Sequence, residues 1–367
     1  MLLYKGLRDQ VLVPLQSVCG IVEKRHTLPI LSNVLIEKQG SKLTLLATDI
    51  EIQITTNAQA TGSEKTALTV AARKLQDILR SLPESTEVSL TLDDKRLQVK
   101  AGKSRFNLQT LPAEDFPRMS IVDGQTSKIV MTQKQFKHLL ALVQYSMAQQ
   151  DIRYYLNGLL VVVNGPEMRV VATDGHRLAF ASATLPESLP RTEVIVPRKT
   201  VLELSRQLAD NDEPLEIVLT PTQAQFRFGD IELVSKLIDG KFPDYERVIP
   251  QQHTKQIDLN REQFLQSLLR AAILTNEKFR GVRLVLDKGS LKIMSTNAEQ
   301  EEAQEEIEVN YAGDSLDIGF NVTYLLDVLN NIATETIQCR LADASSSALF
   351  MLPDNEHFKY VVMPMRI

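Results

Sequence analysis

The sequence predicts an α+β fold made of three tandem copies of one domain. A short polar triplet ends an apolar run at spacings of 125 and 123 residues, as Ala47-Thr48-Asp49, Ala172-Thr173-Asp174 and Ser295-Thr296-Asn297. An apolar pattern with helical spacing recurs in step with the triplets and begins at Leu75, Val201 and Leu325. Because two unrelated patterns share one period, internal triplication explains both of them.

Each copy is predicted to begin with a helix, over roughly residues 8–22, 132–148 and 261–275. Strand patterns follow, starting at residues 33–37, 158–163 and 282–286, and the repeated second helix comes after them. Two or three further strands end each copy, the last at residues 104–110, 231–236 and 359–363. Two helices and several hairpin-linked strands favour helices packed on one face of an antiparallel sheet. Polar segments without a pattern suggest domains at residues 1–125, 126–253 and 254–367.

Composition is that of an ordinary globular protein, with 43% apolar and 24% charged residues among 367. No window approaches 18 consecutive apolar residues, so no membrane helix is predicted. The N-terminus lacks the pattern of a signal peptide, and we expect a cytoplasmic protein. Cys19 and Cys339 are 320 residues apart and offer neither a disulfide framework nor metal-ligand spacing. We therefore expect core cysteines and no cofactor.

Charge is distributed unevenly along the chain, whose net charge is −5. Residues 1–125 carry +2, residues 126–253 carry −1 and residues 254–367 carry −6. The basic excess lies at Arg96, Lys100, Lys103 and Arg105, and the acidic excess at Glu299, Glu301, Glu302, Glu305, Glu306 and Glu308. Both runs lie in strand-like segments. Complementary ends favour head-to-tail association of identical chains, although a solvated face is the simpler alternative for either run.

The second helix of the first two copies carries basic residues beside its apolar face. The first copy has Arg73, Lys74 and Arg80 against Asp77, and the second has Arg198, Lys199 and Arg206 against Glu203. The third copy has Thr323 and Asn330 at two equivalent positions. Because the pattern recurs one repeat later, contact with phosphate groups is favoured over a merely solvated face.

Sequence motifs typical of catalysis are missing, including HExxH, Walker and Gly-x-Ser-x-Gly patterns. The most enzyme-like segment is Thr173-Asp174-Gly175-His176-Arg177, which leaves open a hydrolase that uses Asp174 and His176. Its counterpart in the first copy, Thr48-Asp49-Ile50-Glu51-Ile52, lacks that chemistry. A turn that carries a binding surface therefore explains the segment better.

Several segments, in order along the whole chain, resemble the bacterial DNA polymerase III beta sliding clamp family. They are residues 26–31, 153–158, 172–178, 241–245, 276–283 and 360–367, among them Arg153-Tyr154-Tyr155-Leu156-Asn157-Gly158 and Tyr360-Val361-Val362-Met363-Pro364-Met365-Arg366-Ile367. The resemblance implies three tandem DNA-clamp domains in a head-to-tail homodimeric ring, with antiparallel sheets outside and two helices per domain lining the hole. It also implies a non-catalytic protein that encircles double-stranded DNA.

The resemblance also implies roles for individual residues at two surfaces. Those along or near DNA would be Arg25, Arg73, Gln150, Tyr154, Tyr155, Arg198, Lys199, Phe279 and Arg280. Tyr154 and Tyr155 could equally be core or rim aromatic residues. The dimer interface would use Lys74, Arg96, Lys103, Arg105, Phe106, Leu108, Ile273, Leu274, Glu299, Glu301, Glu302 and Glu305.

A partner-peptide pocket between the second and third copies is implied in the same way. Its residues would be Leu156, Thr173, Gly175, His176, Arg177, Leu178, Pro243, Arg247, Val248, Val361, Val362, Met363, Pro364, Met365 and Arg366. Expected partners are a clamp loader, the replicative polymerase and other proteins with a short clamp-binding peptide. Where the family pattern has an apolar wall residue, this chain has Ser345. A protein-only repeat scaffold remains the alternative to a clamp.

Overall fold

The computed structural model describes residues 1–23, 28–120 and 127–366. The chain divides into two compact units. One comprises residues 1–136 and 202–237, and the other comprises residues 137–201 and 238–367. No helix in the described ranges is long and apolar enough to cross a membrane.

Within the described ranges, one order of elements recurs three times, with two α-helices in each copy. The first copy contains β1 (Leu2–Leu7), α1 (Arg8–Cys19), β2 (Asn33–Gln39), β3 (Lys42–Thr48), β4 (Ile52–Gln59), β5 (Lys65–Ala71), α2 (Ala72–Ser81), β6 (Glu87–Asp93), β7 (Arg96–Ala101) and β8 (Ser104–Leu111). The second contains β9 (Ser127–Thr132), α3 (Gln133–Val143), β10 (Gly158–Thr173), β11 (Arg177–Pro197), α4 (Arg198–Gln207), β12 (Pro214–Leu219), β13 (Gln223–Phe228) and β14 (Ile231–Lys236).

The third copy returns to the element order of the first. It contains β15 (Lys255–Asn260), α5 (Arg261–Ala272), β16 (Gly281–Asp287), β17 (Ser290–Thr296), β18 (Glu302–Glu308), β19 (Leu316–Asn321), α6 (Val322–Asn331), β20 (Thr336–Leu341), β21 (Ala348–Leu352) and β22 (Asn355–Val362). The long strands β10 and β11 of the second copy stand where the first has β2 to β5. Short 3-10 helices cover Pro29–Ser32, Ala113–Asp115, Gln144–Ser146, Tyr154–Leu156 and Tyr245–Arg247. The predicted repeat is confirmed.

The described part of the first unit contains one twelve-stranded antiparallel sheet. Its order is β1-β6-β7-β8-β5-β2-β3-β4-β14-β13-β12-β9. β4 pairs with β14, with Ile52 opposite Ser235, and this pairing joins strands of the first and second copies. Helix α1 packs against α2, β3 and β4. Its side chains Val11 and Leu15 are buried there, because apolar residues three and four apart share one helix face.

In the second unit, the described residues form two antiparallel sheets. One has the order β10-β11-β22-β21-β20-β15, and the other has the order β18-β17-β16-β19. β11 pairs with β22, with Arg177 opposite Val362 and Leu178 opposite Val361. A strand of the second copy therefore pairs with a strand of the third, as β4 and β14 pair across the first two copies. Helix α5 packs against α6, β17 and β18.

Two expectations about the helices are wrong. Each copy begins with a strand, β1, β9 or β15, and not with a helix. The signal was present in β15, where buried Ile257 and Leu259 alternate with exposed, polar Gln256 and Asp258 at the two-residue period of a strand. Glu203 on α4 does not lie on an open face. It is buried and accepts hydrogen bonds from Arg206, so it balances that charge.

Candidate functional site

The turn between β10 and β11 is held by hydrogen bonds from its own side chains. The hydroxyl Oγ1 of Thr173 donates to the carbonyl oxygen of Arg177 at 2.6 Å and accepts from the amide of Gly175 at 3.1 Å. Asp174 Oδ1 accepts from the amides of His176 and Arg177 at 2.9 and 3.0 Å. Asp and Thr side chains commonly stabilise tight turns in this way. The segment is therefore a rigid support that exposes His176.

Glycine is favoured at position 175 for two reasons. Its φ of 89° lies in the left-handed region, where a side chain is strained. A Cβ at this position would also stand 2.9 Å from Nη1 of Arg153. The close approach lets Arg153 donate to the carbonyl oxygen of Asp174 at 3.2 Å. Arg153 also pairs with Asp151, and its side-chain hydrogen bond lowers the pKa of Asp151 to about 2.

The β10–β11 turn forms one wall of a cavity of about 380 Å³, which we call the cleft. Met363 follows β22 along the opposite wall, and its amide donates to the carbonyl oxygen of His176 at 2.9 Å. The Met363 side chain is 50% exposed, and Leu156, Leu178 and Val361 beneath the opening are buried. The predicted pocket residues that line the cleft are Leu156, Thr173, Gly175, His176, Arg177, Leu178, Pro243, Val248, Val361 and Met363.

The other predicted pocket residues lie outside the lining. Val362 is fully buried, because alternate residues of a strand face opposite sides and Val361 takes the cleft side. Arg247 is exposed and pairs with Asp244 at 2.8 Å. Pro364, Met365 and Arg366 continue the chain beyond the cleft, and the amide of Met365 donates to the carbonyl oxygen of Gly319.

Four lining residues were not identified from the sequence: Arg153, Phe242, Tyr245 and Ser347. The first three lie within segments that carry the family resemblance, so their position in those segments was an available signal. Ser347 lines the cleft, whereas Ser345 bonds to Asp343 through both its amide and its hydroxyl. The serine at the rim is therefore two residues later than expected.

Arg177 connects three elements beneath the cleft. Its guanidinium donates to Asp174 Oδ2 at 3.1 Å, to Asp327 Oδ2 on α6 at 2.5 Å and to the carbonyl oxygen of Tyr145 at 2.6 Å. The Arg177 side chain is only 10% exposed and lies over the Tyr324 ring at 4.4 Å. Burial alone would lower the pKa of Arg177, but its tyrosine and carboxylate neighbours raise it. Arg177 therefore has a structural role, because most of its N–H groups already donate to acceptors within the protein.

Replacing Arg177 with alanine is expected to lower the free energy of unfolding by about 3 kcal/mol, because it leaves two partly buried carboxylates without their cation. Urea titration measures this change. The matched control is Arg191→Ala, because the side chains of the Arg191–Glu193 pair are 68% and 41% exposed. An exposed pair contributes at most about 1 kcal/mol. Equal decreases in the free energy of unfolding of the two variants would contradict this structural role of Arg177.

The geometry of Asp174 does not favour acid-base chemistry. One carboxylate oxygen accepts two backbone amides of the turn, and the other accepts Nε of Arg177. A base that activates water needs an oxygen directed at its substrate. Both oxygens of Asp174 instead stabilise the turn. In the described ranges, no group of three or more His, Cys, Asp or Glu residues could hold a metal ion.

The residues predicted near DNA lie on two helices and in two connecting segments. Arg73 is on α2, Arg198 and Lys199 begin α4, Gln150, Tyr154 and Tyr155 precede β10, and Phe279 and Arg280 precede β16. Arg25 lies outside the described residues. Tyr154 and Phe279 expose more than half of their surface, while Tyr155 packs against the apolar core beside the cleft. Arg73 is half-buried and donates to the carbonyl oxygen of Val22 at 2.5 Å.

The predicted dimer interface includes two sheet edges, the first of which is formed by β8. β8 pairs with β7 through residues 104–109, but with β5 only at Thr110 and Leu111. Its other edge therefore has no partner strand over residues 104–109 within the described chain. It carries exposed Lys103 and Arg105 at one end, with half-buried Phe106 and Leu108 along one face. Arg96 is exposed at the start of β7, and Lys74 is exposed on α2.

The acidic segment occupies the edge of the four-stranded sheet. β18 is the end strand of that sheet, and Glu299, Glu301 and Glu302 are exposed at or before its start. Ile273, which directly follows α5, is 76% exposed, and Leu274 beside it is partly exposed. Glu305 differs from the other glutamates, because it accepts two hydrogen bonds from Arg270 at 2.9 and 2.5 Å. These bonds lower its pKa.

Comparison with known families identifies all three copies. Residues 6–120, 130–244 and 246–366 match models of the N-terminal, central and C-terminal domains of the DNA polymerase III beta subunit. The beta sliding clamp of Pseudomonas aeruginosa is 48% identical over 363 residues, which is 98% of each chain. The beta sliding clamp of Escherichia coli is 45% identical over 362 residues, again 98% of each chain.

The fold agrees with the sequence comparison. The crystal structure of the DNA polymerase III subunit beta from Pseudomonas aeruginosa matches with a TM-score of 0.95, at 47% identity and over 100% of both chains. Three tandem domains, their antiparallel sheets and six helices in the described ranges are shared features of this fold. The chain therefore belongs to the DNA polymerase III beta subunit family of non-catalytic sliding clamps.

Proposed function

We propose that two copies of this chain close head to tail into a ring around duplex DNA and tether the replicative polymerase to its template. The observation that carries the proposal is the pair of open, oppositely charged sheet edges on a chain of the sliding-clamp family. On this account the protein works in the cytoplasm, where it confers processivity and performs no chemistry.

Ring closure is supported by the chemistry of β8 and β18. Each edge has backbone amides and carbonyls without a partner strand in the described chain, and such edges pair readily with another strand. Lys103 and Arg105 on one copy would face Glu301 and Glu302 on the other. Exposed Ile273 of one copy would cover half-buried Phe106 and Leu108 on β8 of the other copy. A head-to-tail contact closes into a ring when its rotation allows.

Sliding requires weak contacts that do not depend on base sequence. Arginine and lysine at the starts of α2 and α4 suit phosphate groups, which lie along any duplex. Contacts with base edges would fix the position of the ring, so few are expected. Exposed Tyr154 and Phe279 supply aromatic surface in the segments before β10 and β16. Retention on DNA would come from encirclement and not from affinity.

Partner docking is supported by the cleft. Its floor is apolar, while Met363 and Val248 expose apolar surface at its opening. Methionine adapts well to different apolar side chains. Arg153, whose side chain is 45% exposed, could pair with an acidic group of a peptide. A clamp loader, the replicative polymerase and other peptide-bearing proteins would compete for this cleft. A tethered polymerase meets the primer end at high effective concentration.

Primer extension on a singly primed circular single-stranded template tests the proposal. The reaction contains the replicative polymerase and the clamp loader, with trap DNA that allows one binding event. Adding this chain is expected to lengthen the products many-fold. The control is the same chain with Met363–Ile367 removed, which should lengthen nothing because the polymerase cannot dock. A protein-only scaffold predicts equal product lengths with and without the chain, and that result would refute the proposal.

A further inference from the structure

The first unit contains a turn with the same hydrogen bonds as the turn beside the cleft. Thr48 Oγ1 donates to the carbonyl oxygen of Ile52 at 2.9 Å and accepts from the amide of Ile50 at 2.9 Å. Asp49 Oδ1 accepts from the amides of Glu51 and Ile52 at 2.9 and 2.8 Å. These bonds repeat, residue for residue, those of Thr173 and Asp174. The repeat has therefore preserved a backbone frame as well as a sequence triplet.

The opposite wall is preserved in the same way. The amide of Lys236, at the end of β14, donates to the carbonyl oxygen of Glu51 at 2.9 Å. This is the counterpart of the 2.9 Å bond from Met363 to His176. Pro117 follows Phe116 as Pro243 follows Phe242, and each proline lines a cavity in its own unit. The cavity of the first unit, which we call the twin pocket, measures about 370 Å³.

The side chains of the twin pocket differ from those of the cleft. Ile50 stands where the cleft has Gly175, and its φ of 72° is unusual for a β-branched residue. The Ile50 side chain is 41% exposed and, with Pro117 and Met119, gives the twin pocket an apolar surface. Strained residues of this kind persist where the surrounding structure holds them, and they are found disproportionately at binding sites.

Two cations line the twin pocket, one paired with half-buried Glu37 and the other with exposed Glu51. Arg118 bonds to both oxygens of Glu37 at 2.6 and 3.0 Å. Lys236 Nζ lies 3.0 Å from Glu51. Both side chains of the Lys236–Glu51 pair are exposed, and such pairs contribute little to stability, so a carboxylate of a ligand can replace Glu51 at small cost. An apolar surface beside two such cations suits an apolar side chain with a neighbouring acidic group.

The geometry points to the twin pocket as a second docking site, for a peptide segment in which an apolar side chain lies next to a carboxylate. This inference rests on the function proposed for the cleft and extends it to the junction of the first two copies. Affinity is lower than at the cleft, by about tenfold, because the twin pocket lacks the deep apolar floor formed by Leu156, Leu178 and Val361. A protein already docked at the cleft could engage the twin pocket with a second segment of its chain.

Methyl NMR of the full-length chain tests the inference, with 13C labels on isoleucine Cδ1 and methionine Cε. The probe is acetyl-Leu-Asp-Leu-amide, and the control peptide is acetyl-Leu-Lys-Leu-amide. Ile50 and Met119 report on the twin pocket, and Met363 reports on the cleft. We expect saturable shifts of Ile50 and Met119 with the aspartate peptide and none with the lysine peptide. Lys236→Glu should weaken the response of Ile50 and Met119 at least tenfold without changing that of Met363.

The possible outcomes separate the two sites. Chemical-shift changes at Met363 alone would contradict peptide binding at the twin pocket and would leave the proposed function unaffected. Shifts at Ile50 and Met119 alone would support the twin pocket and count against docking at the cleft. Equal responses to the two peptides, or a response that survives Lys236→Glu, would overturn the role of the cations and with it the inference. The absence of chemical-shift changes at all three methyl groups would also contradict the inference.

Discussion

Replacing Arg96, Lys103 and Arg105 together with glutamate is expected to convert the proposed dimer into monomers. In the wild type these exposed cations lie at the ends of β7 and β8, and the acidic start of β18 would face them from the second copy. Each reversal changes a weak attraction into a comparable repulsion, so three reversals cost about 3 kcal/mol, a roughly hundredfold rise in Kd. Sedimentation at several concentrations measures the change.

The control variant has the same change in net charge, but at residues outside β8 and β18. Lys42, Lys65 and Lys288 are exposed, and none belongs to the predicted interface. Their replacement by glutamate should leave the dimer intact, with only a small general effect of net charge. Salt should weaken the wild-type dimer, because screening reduces attraction between exposed charges. If the triple variant sediments as an unchanged dimer, the assignment of β8 to the interface is wrong.

Removing Met363–Ile367 is expected to abolish peptide binding at the cleft while the assembly remains intact. Met363 forms part of the cleft wall and bonds to the β10–β11 turn through its amide. Losing a central apolar contact typically costs about 2 kcal/mol or more, a roughly thirtyfold loss of affinity. The tail next contacts Gly319 on β19, at the opposite end of the sheet from β18. Ile367 itself lies outside the described residues.

Fluorescence anisotropy with a labelled peptide from the polymerase tail measures this effect, and sedimentation checks the assembly. Val130→Ala is a suitable control, because it removes a partly exposed apolar side chain from β9 in the other unit. It should change neither the affinity nor the mass. Unchanged peptide affinity in the truncated chain would remove Met363–Arg366 from the docking site, and loss of the dimer would give the tail a structural role instead.

Much of the fold was predictable, because the patterns that specify it are local. The six α-helices of the described residues follow from apolar residues three and four apart, and the threefold repeat follows from the recurrence of a triplet with Thr-Asp or Thr-Asn. The opening strands β1, β9 and β15 were missed, although apolar Ile257 and Leu259 alternate with polar Gln256 and Asp258 in β15. The predicted helices begin at residues 8, 132 and 261, so the sequence analysis left these short strands unassigned.

Side-chain partners at the site were less predictable, because they come from distant parts of the chain. Arg270 and Glu305 are 35 residues apart, and their ion pair forms only when α5 packs against β18. Arg177 and Asp327 are 150 residues apart, so the structural role of Arg177 could not be predicted from the sequence. The cleft residues were predicted from resemblance. Val362 shows the limit of that approach, since strand alternation turns it away from the cleft.

Topological retention on DNA tests the central claim most directly. The chain is loaded onto a nicked circular plasmid by the clamp loader, washed in high salt and then divided, with one half cut once by a restriction enzyme. A ring should remain on the intact circle through the wash and leave the linear DNA by sliding off its ends. Salt-sensitive loss from both DNA forms would indicate simple phosphate binding. Equal lifetimes on circle and line after the wash would contradict encirclement.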